Sequence, residues 1–162
     1  MKKLLALALA AALTLTLAAC SSGEREKSIS GALPEIVDRL YDQADVDDET
    51  REFLKTGLMT TDIQKEDLEY YFGVSNVNFE EAVASEPLVS AKAFSVCLMR
   101  VSNGTDVEAL KAEIREKADP RKWICVEVDP SDVRVESVGN LVLLIMAENS
   151  EKYSEAFYAL AE

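Results

Sequence analysis

The chain has 162 residues, with 30 Asp and Glu against 17 Lys and Arg, no His, and a formal net charge of −13. This length suits one globular domain. The absence of His excludes Ser-His-Asp and Cys-His catalysis and every zinc site that needs imidazole. The acidic balance argues against nucleic-acid binding, which uses Lys and Arg to displace counterions from phosphates.

The first segment has the layout of a bacterial secretion signal. Lys2 and Lys3 precede an apolar run over residues 4–19, which is shorter than the ~20 residues of a membrane-spanning helix. The run ends in Leu17-Ala18-Ala19-Cys20, which resembles the lipobox of bacterial lipoproteins. The resemblance implies cleavage between Ala19 and Cys20 and a diacylglycerol thioether on Cys20. The alternative is an ordinary signal peptide with a chance Cys. Two acyl chains hold a protein stably at a membrane without a transmembrane helix.

The mature chain that follows has the composition of a globular protein. Cleavage after Ala19 leaves 143 residues with a net side-chain charge of −15. Residues 20–30 are small and polar, which predicts a lipidated Cys and a flexible tether. Ten residues cover at most ~35 Å. The remaining residues, 31–162, are therefore expected to fold as one domain close to the outer face of the cell membrane.

A small helical region is predicted directly after the tether. Apolar residues at helical spacing predict a helix from Leu33 to Ala44. Two shorter helices are predicted over residues 49–56 and 63–72, and each is followed by a glycine. Residues 45–49, Asp-Val-Asp-Asp-Glu, lack the turn Gly and the distant Glu of a calcium loop. An acidic turn that caps the next helix is the favoured interpretation.

The rest of the chain predicts a sheet and two further helices. Strands are predicted within residues 74–89, where the pattern is ambiguous, and over 94–101, 123–128, 133–138 and 141–146. Helices are predicted over 105–118 and from Asn149 or Ser150 onwards. Gly139-Asn140 is a two-residue hairpin turn. We therefore expect the α+β class, with a single mixed β-sheet of about five strands, helices packed against it, and the small helical region before it.

Several motifs together resemble a known bacterial family. They are the lipobox, Tyr70-Tyr71-Phe72-Gly73, residues 85–92 (Ser-Glu-Pro-Leu-Val-Ser-Ala-Lys), residues 119–126 (Asp-Pro-Arg-Lys-Trp-Ile-Cys-Val) and the Gly139-Asn140 hairpin. With these motifs the mature chain resembles the lipoprotein family filed as domain of unknown function 4358, which is common in Gram-positive anaerobes. The resemblance implies a small extracytoplasmic lipoprotein domain. It implies no catalytic residue.

Two cysteines remain once Cys20 carries lipid. Cys97 and Cys125 lie in segments predicted as strands on either side of a helix, so a disulfide between them is one interpretation. Two reduced thiols packed among apolar neighbours are the favoured alternative, because parallel strands often misplace the Cβ vectors for a disulfide. A redox-active pair is disfavoured, since the chain has no Cys-x-x-Cys.

Other residues are weaker candidates for a catalytic or binding role. Glu80, Glu81 and Glu86 are nominal carboxylates for a hydrolase of the envelope. Arg121 and Lys122 suit either a solvated turn, which is favoured, or a contact with a partner's acidic group. Trp123 and residues 70–72 are more typical of core packing than of a ligand platform.

We therefore expect a non-enzymatic, lipid-anchored domain on the outer face of the cell membrane. It would bind an envelope protein or a small ligand, and no nucleic acid. A carboxylate-dependent envelope hydrolase and an accessory subunit of a membrane complex remain alternatives. No catalytic residue, metal or cofactor is expected, apart from the acyl chains on Cys20.

Overall fold

The computed structural model describes residues 27–89 and 92–162. The helices in these residues are α1 (Leu33–Gln43), α2 (Asp48–Thr56), α3 (Leu68–Phe72), α4 (Val107–Lys117) and α5 (Ser150–Ala159). The strands are β1 (Leu58–Asp62), β2 (Phe79–Pro87), β3 (Ser95–Val101), β4 (Val133–Val138) and β5 (Leu141–Met146). Short 3-10 turns over Lys65–Asp67 and Pro130–Asp132 precede α3 and β4.

The strands form one sheet in the order β1-β2-β3-β5-β4. This confirms the α+β class with a single five-stranded sheet. The sheet is antiparallel throughout rather than mixed. The reason is that β5 lies between β3 and β4. The two strands that α4 connects run in the same direction, but they are never hydrogen-bonded neighbours.

Two strand assignments differ from the sequence prediction. The strand expected over residues 123–128 is wrong, because this segment is irregular and pairs with no strand. Its backbone is held locally, as where Val128 N donates to Pro120 O at 2.9 Å. Strand β1 was not predicted, because its Leu-Met-Thr-Thr-Asp sequence lacks the apolar alternation of a core strand. It lies at the edge of the sheet.

Helices cover both faces of the sheet. Helices α1, α2 and α5 pack on one face, where Val96 and Leu98 of β3 point. Helices α3 and α4 pack on the other face, where Cys97 and Met99 point. Strand β5 is buried along its whole length, as its continuous apolar sequence predicts for a strand covered on both sides.

The two ends of the domain meet at one end of the sheet. Ser28 and Glu162 exchange two backbone hydrogen bonds, of 3.3 and 3.1 Å, and Ile29 is buried in the core. The packed region therefore begins at Ser28, three residues before the predicted boundary at Gly31. The carbonyl of Lys27 lies against Gly139 in the β4–β5 hairpin. We call this the tether end of the sheet, and the opposite end, where β3 begins and β5 finishes, the distal end.

Candidate functional site: a cleft at the distal end

A cleft of about 480 Å³ opens at the distal end of the sheet. It is bounded by the start of α2, the segment that leads into β3, the loop over residues 126–132, and the start of α5. Four stretches that are remote in sequence meet here because β3 begins at this end and β5 finishes at it. The volume lies within the ~300–1,000 Å³ of typical small-molecule sites.

Aromatic rings form the apolar side of the cleft. The Phe94 ring centroid lies 5.5 Å from that of Phe53 and 5.8 Å from that of Tyr153, both in edge-to-face geometry. Tyr41 packs behind them, and buries the back of the cluster in the core. The Lys92 ammonium lies 3.9 Å above the Phe53 ring. The structure thus already places one cation on this aromatic surface.

Carboxylates form the polar side of the cleft. Five acidic residues line it against the two basic residues Lys92 and Lys152, which leaves an excess of three negative charges; the acidic residues are Asp47, Glu127, Asp129, Asp132 and Glu148.

Two of these carboxylates have low pKa values. Asp47 caps α2 by accepting a 2.7 Å hydrogen bond from Thr50 N, which lowers its pKa. Asp129 accepts from the hydroxyl and the backbone N–H of Ser131, at 2.6 and 2.8 Å, and its pKa is lowered too. Both are therefore anionic at neutral pH, which does not suit a general acid.

Tyr153 is a polar residue of the cleft wall that the fold leaves unpartnered. Its side chain is only 2% exposed, yet its hydroxyl makes no hydrogen bond to any residue of 27–89 or 92–162. Burial, and then the charges of Asp47 and Glu148, raise its pKa to about 12, so it stays a neutral phenol. The neighbouring Asn149, with φ of 58°, is the only non-glycine residue with positive φ in the described part of the chain.

The wall over residues 126–129 is held in place by a buried lysine upstream of it. The Lys122 side chain is 4% exposed, and its Nζ lies 2.5 Å from Glu86 Oε1. It also donates to Ser95 Oγ at 3.3 Å. The ring centroids of Tyr70, Tyr71 and Trp123 surround the ammonium at 4.9, 5.0 and 5.4 Å. Burial opposes the charge, but the negative charges of Cys97, when ionised, and Glu86 raise the pKa of Lys122.

This arrangement corrects one sequence interpretation and bears on two others. Lys122 is a buried anchor rather than part of a solvated turn, whereas Arg121 is exposed. Trp123 packs, as expected, against the apolar core on the face of the sheet that α3 and α4 cover. In the 70–72 motif Phe72 is fully buried, but Tyr70 remains 54% exposed. The aromatic motif is thus divided between core packing and the enclosure of Lys122.

The two cysteines occupy different environments. Cys97 is fully buried on β3 and Cys125 is exposed, and both are free thiols. The disulfide considered from sequence is absent from the structure, because the segment that carries Cys125 is a surface loop rather than a strand beside β3. Burial raises the pKa of the Cys97 thiol to about 11.

The carboxylates nominated for a hydrolase do not converge. Glu80 is exposed and Glu81 pairs with Arg100 at 2.8 Å, both near the start of β2. Glu86 lies near the other end of β2, paired with Lys122. Ser95 and Lys122 touch in the manner of a nucleophile and its base. Ser95, however, is fully buried, and Lys122 is engaged with Glu86, so no substrate reaches them.

Three further points concern the predicted lipid anchor, membrane-spanning helices and metal binding. The predicted lipidation and cleavage positions, Cys20 and Ala19, lie outside the described residues. Within residues 27–89 and 92–162, no helix is long and apolar enough to span a bilayer. The same residues contain no group of three or more acidic or Cys side chains arranged to hold a metal ion.

No family model, no curated protein and no solved structure matches the chain. The resemblance to the lipoprotein family therefore stays a prediction.

The cleft could not be located from the sequence. Residues 45–49 were predicted as an acidic turn that caps the next helix, and the cap at Asp47 confirms this. Which end of the sheet each turn reaches follows from the strand order, and the false strand over 123–128 obscured that order. A usable signal was the presence of carboxylates in three separate turns, each next to a buried aromatic or apolar residue.

Proposed function

We propose that this protein is a lipid-anchored, extracytoplasmic binding module that takes a small ligand in the distal cleft. The lipobox at Cys20 supports the anchor. The single observation that carries the binding role is the position of the cleft. Lys27 enters the fold at the tether end, and the 480 Å³ cleft opens at the opposite end of the sheet. A ligand site that faces away from the membrane is accessible to molecules of the envelope.

The anchor is tested by fractionation of cells that express the wild-type chain or the Cys20→Ala variant. We expect the wild type to sediment with membranes and to incorporate a labelled fatty acid. The variant should incorporate none. Equal labelling of the two, or wild-type protein in the cytosol, would reject the anchor.

The binding role is tested by native mass spectrometry of the detergent-solubilised lipoprotein after incubation with a small-molecule extract of the envelope. Ala93 lines the cleft, so Ala93→Trp fills it. Ala112→Trp, on the exposed side of α4, is the matched control. We expect a bound species with the wild type and the control that is lost in the Ala93→Trp variant. A species that persists in Ala93→Trp, or no species at all, would contradict a ligand site in the cleft.

An accessory subunit of a membrane complex is the second candidate. Met59, Leu88 and Val89 are 54%, 60% and 69% exposed, beside the edge strand β1. Exposed apolar side chains next to an unpaired strand edge are a common protein contact surface. A stoichiometric partner retained by the wild type but lost in a Met59→Lys, Leu88→Lys variant would favour this function over the small-ligand module.

A further inference from the structure

The charge of the distal cleft restricts what it can hold. Its five carboxylates exceed its two ammonium groups by three charges, and the pKa values of Asp47 and Asp129 are lowered by hydrogen bonds within their own turns. An anionic ligand would meet net repulsion here, whereas a cation would gain attraction. Charge alone does not make a binding site, but the cleft has a second feature that favours a cation.

That feature is the unpartnered hydroxyl of Tyr153. The residue is 98% buried, its ring packs against Phe94 and Tyr41, and it lines the cleft. Its hydroxyl makes no hydrogen bond to any of the described residues. A hydroxyl that makes no hydrogen bond to the protein can accept one from a molecule in the cleft or donate one to it. The negative charges of Asp47 and Glu148 act on this hydroxyl. A donor that enters the cleft therefore finds an acceptor flanked by anions.

The aromatic side of the cleft supplies the remaining specificity. Phe53 and Phe94 form an apolar wall, and Phe53 already stacks with the ammonium of Lys92. A ligand body that is apolar would pack against these rings, and a cation can lie over them.

We propose that the cleft binds a small organic cation, a primary ammonium group carried on an apolar body. The ammonium donates to the Tyr153 hydroxyl between Asp47 and Glu148, and the body lies along Phe53 and Phe94. This inference rests on the proposed ligand-binding function and adds the chemical class of the ligand.

The test uses three probes of nearly equal size on the detergent-solubilised lipoprotein. They are 2-phenylethylamine, which is cationic at neutral pH, the neutral 2-phenylethanol, and the anionic 3-phenylpropionate. Backbone ¹H–¹⁵N shifts report the site and the dissociation constant. We expect the amine to shift the signals of residues 47–50 and 148–153 but not those of the Gly139 hairpin. We also expect the amine to bind at least about tenfold more tightly than the alcohol, and more weakly as salt is added.

Conservative variants separate the roles of the groups. Tyr153→Phe removes only the hydroxyl and should weaken amine binding about tenfold, with little effect on the alcohol. Asp47→Asn keeps the helix cap and Glu148→Gln keeps the shape, and each should weaken amine binding about threefold. Glu116→Gln removes the same charge from an exposed position on α4 and should change nothing.

Different results reject different claims. If the alcohol or the anion binds in the cleft as tightly as the amine, or if Tyr153→Phe and Glu116→Gln behave alike, the ligand class is wrong while the binding module stands. If the amine shifts only signals outside the cleft, the proposed cation site is wrong. The proposed function itself is tested separately. It fails if native mass spectrometry finds no bound species that is present in the wild type and lost in the Ala93→Trp variant.

Discussion

Lys122 and Glu86 form an ion pair that joins the irregular segment after α4 to the end of β2, with Nζ 2.5 Å from Oε1. The lysine is almost fully buried, and the segment that it anchors continues into the cleft wall at residues 126–129. The pair thus links the stability of the domain to the shape of the proposed site.

Removal of Lys122 should therefore be costly. Lys122→Met leaves Glu86, whose side chain is only 22% exposed, without its partner, and we expect a loss of about 2–3 kcal/mol in the free energy of unfolding. The double variant Lys122→Met, Glu86→Gln should recover much of this loss, because no unpaired charge remains. Urea denaturation of Lys122→Met, Glu86→Gln and the double variant measures the coupling energy between the two side chains. Arg121→Met, one residue away and exposed, is the control, and an equal effect there would contradict the anchoring role.

A second prediction concerns the close approach of α3 and α4. Gly73 ends α3 with φ of 73°, and a Cβ there would lie 2.5 Å from the backbone carbonyl of Lys117. Gly104 has a similar φ of 86° but open space around it. Gly104→Ala should cost only the left-handed backbone strain of about 1–2 kcal/mol. Gly73→Ala should cost at least about 2 kcal/mol more, because backbone atoms must move. Equal urea midpoints for Gly73→Ala and Gly104→Ala would show that the two helices do not pack this closely.

The two thiols should react at very different rates. Cys125 is exposed, whereas burial raises the pKa of Cys97 to about 11 and excludes reagents. Iodoacetamide at pH 8 followed by peptide mapping should find Cys125 modified in the folded protein and Cys97 only after denaturation. Rapid modification of Cys97 under native conditions, or a peptide that links the two residues, would contradict the structure.

Burial of Cys97 also makes stability depend on alkaline pH. Burial raises the pKa of Cys97 from its ordinary value to about 11, so the unfolded chain loses this proton first as the pH rises. The stabilising effect is fully present below about pH 9, and the free energy of unfolding should fall by about 2 kcal/mol between pH 9 and pH 11. Burial raises the pKa values of Tyr41 and Tyr153 in the same direction.

The Cys97→Ala variant isolates the contribution of this thiol to the pH dependence of stability. It is less stable at every pH because it leaves a cavity, but its free energy of unfolding should fall less between pH 9 and 11 than that of the wild type. Identical slopes for the two proteins would show that Cys97 does not ionise on unfolding.

Much of the fold could be predicted because local patterns and tertiary packing agree. Strand β5 is apolar throughout and lies buried on both faces, and Gly139-Asn140 makes the turn that its sequence indicates. The segment around Trp123 was predicted wrongly, because Trp123 encloses Lys122 from a loop and Ile124 is exposed, although both residue types suit a strand. The cleft escaped prediction for a related reason: Asp47, Phe94 and Tyr153 meet only through the strand order, which no local pattern encodes.

We propose that this domain is tethered through Cys20 with its cleft facing outwards, and the mass of the membrane-bound protein tests the tether most directly. Intact mass spectrometry of the protein extracted from membranes should give a chain that begins at Cys20 and carries the added mass of a diacylglycerol group. A full-length chain that begins at Met1 with an unmodified Cys20 thiol would contradict the account.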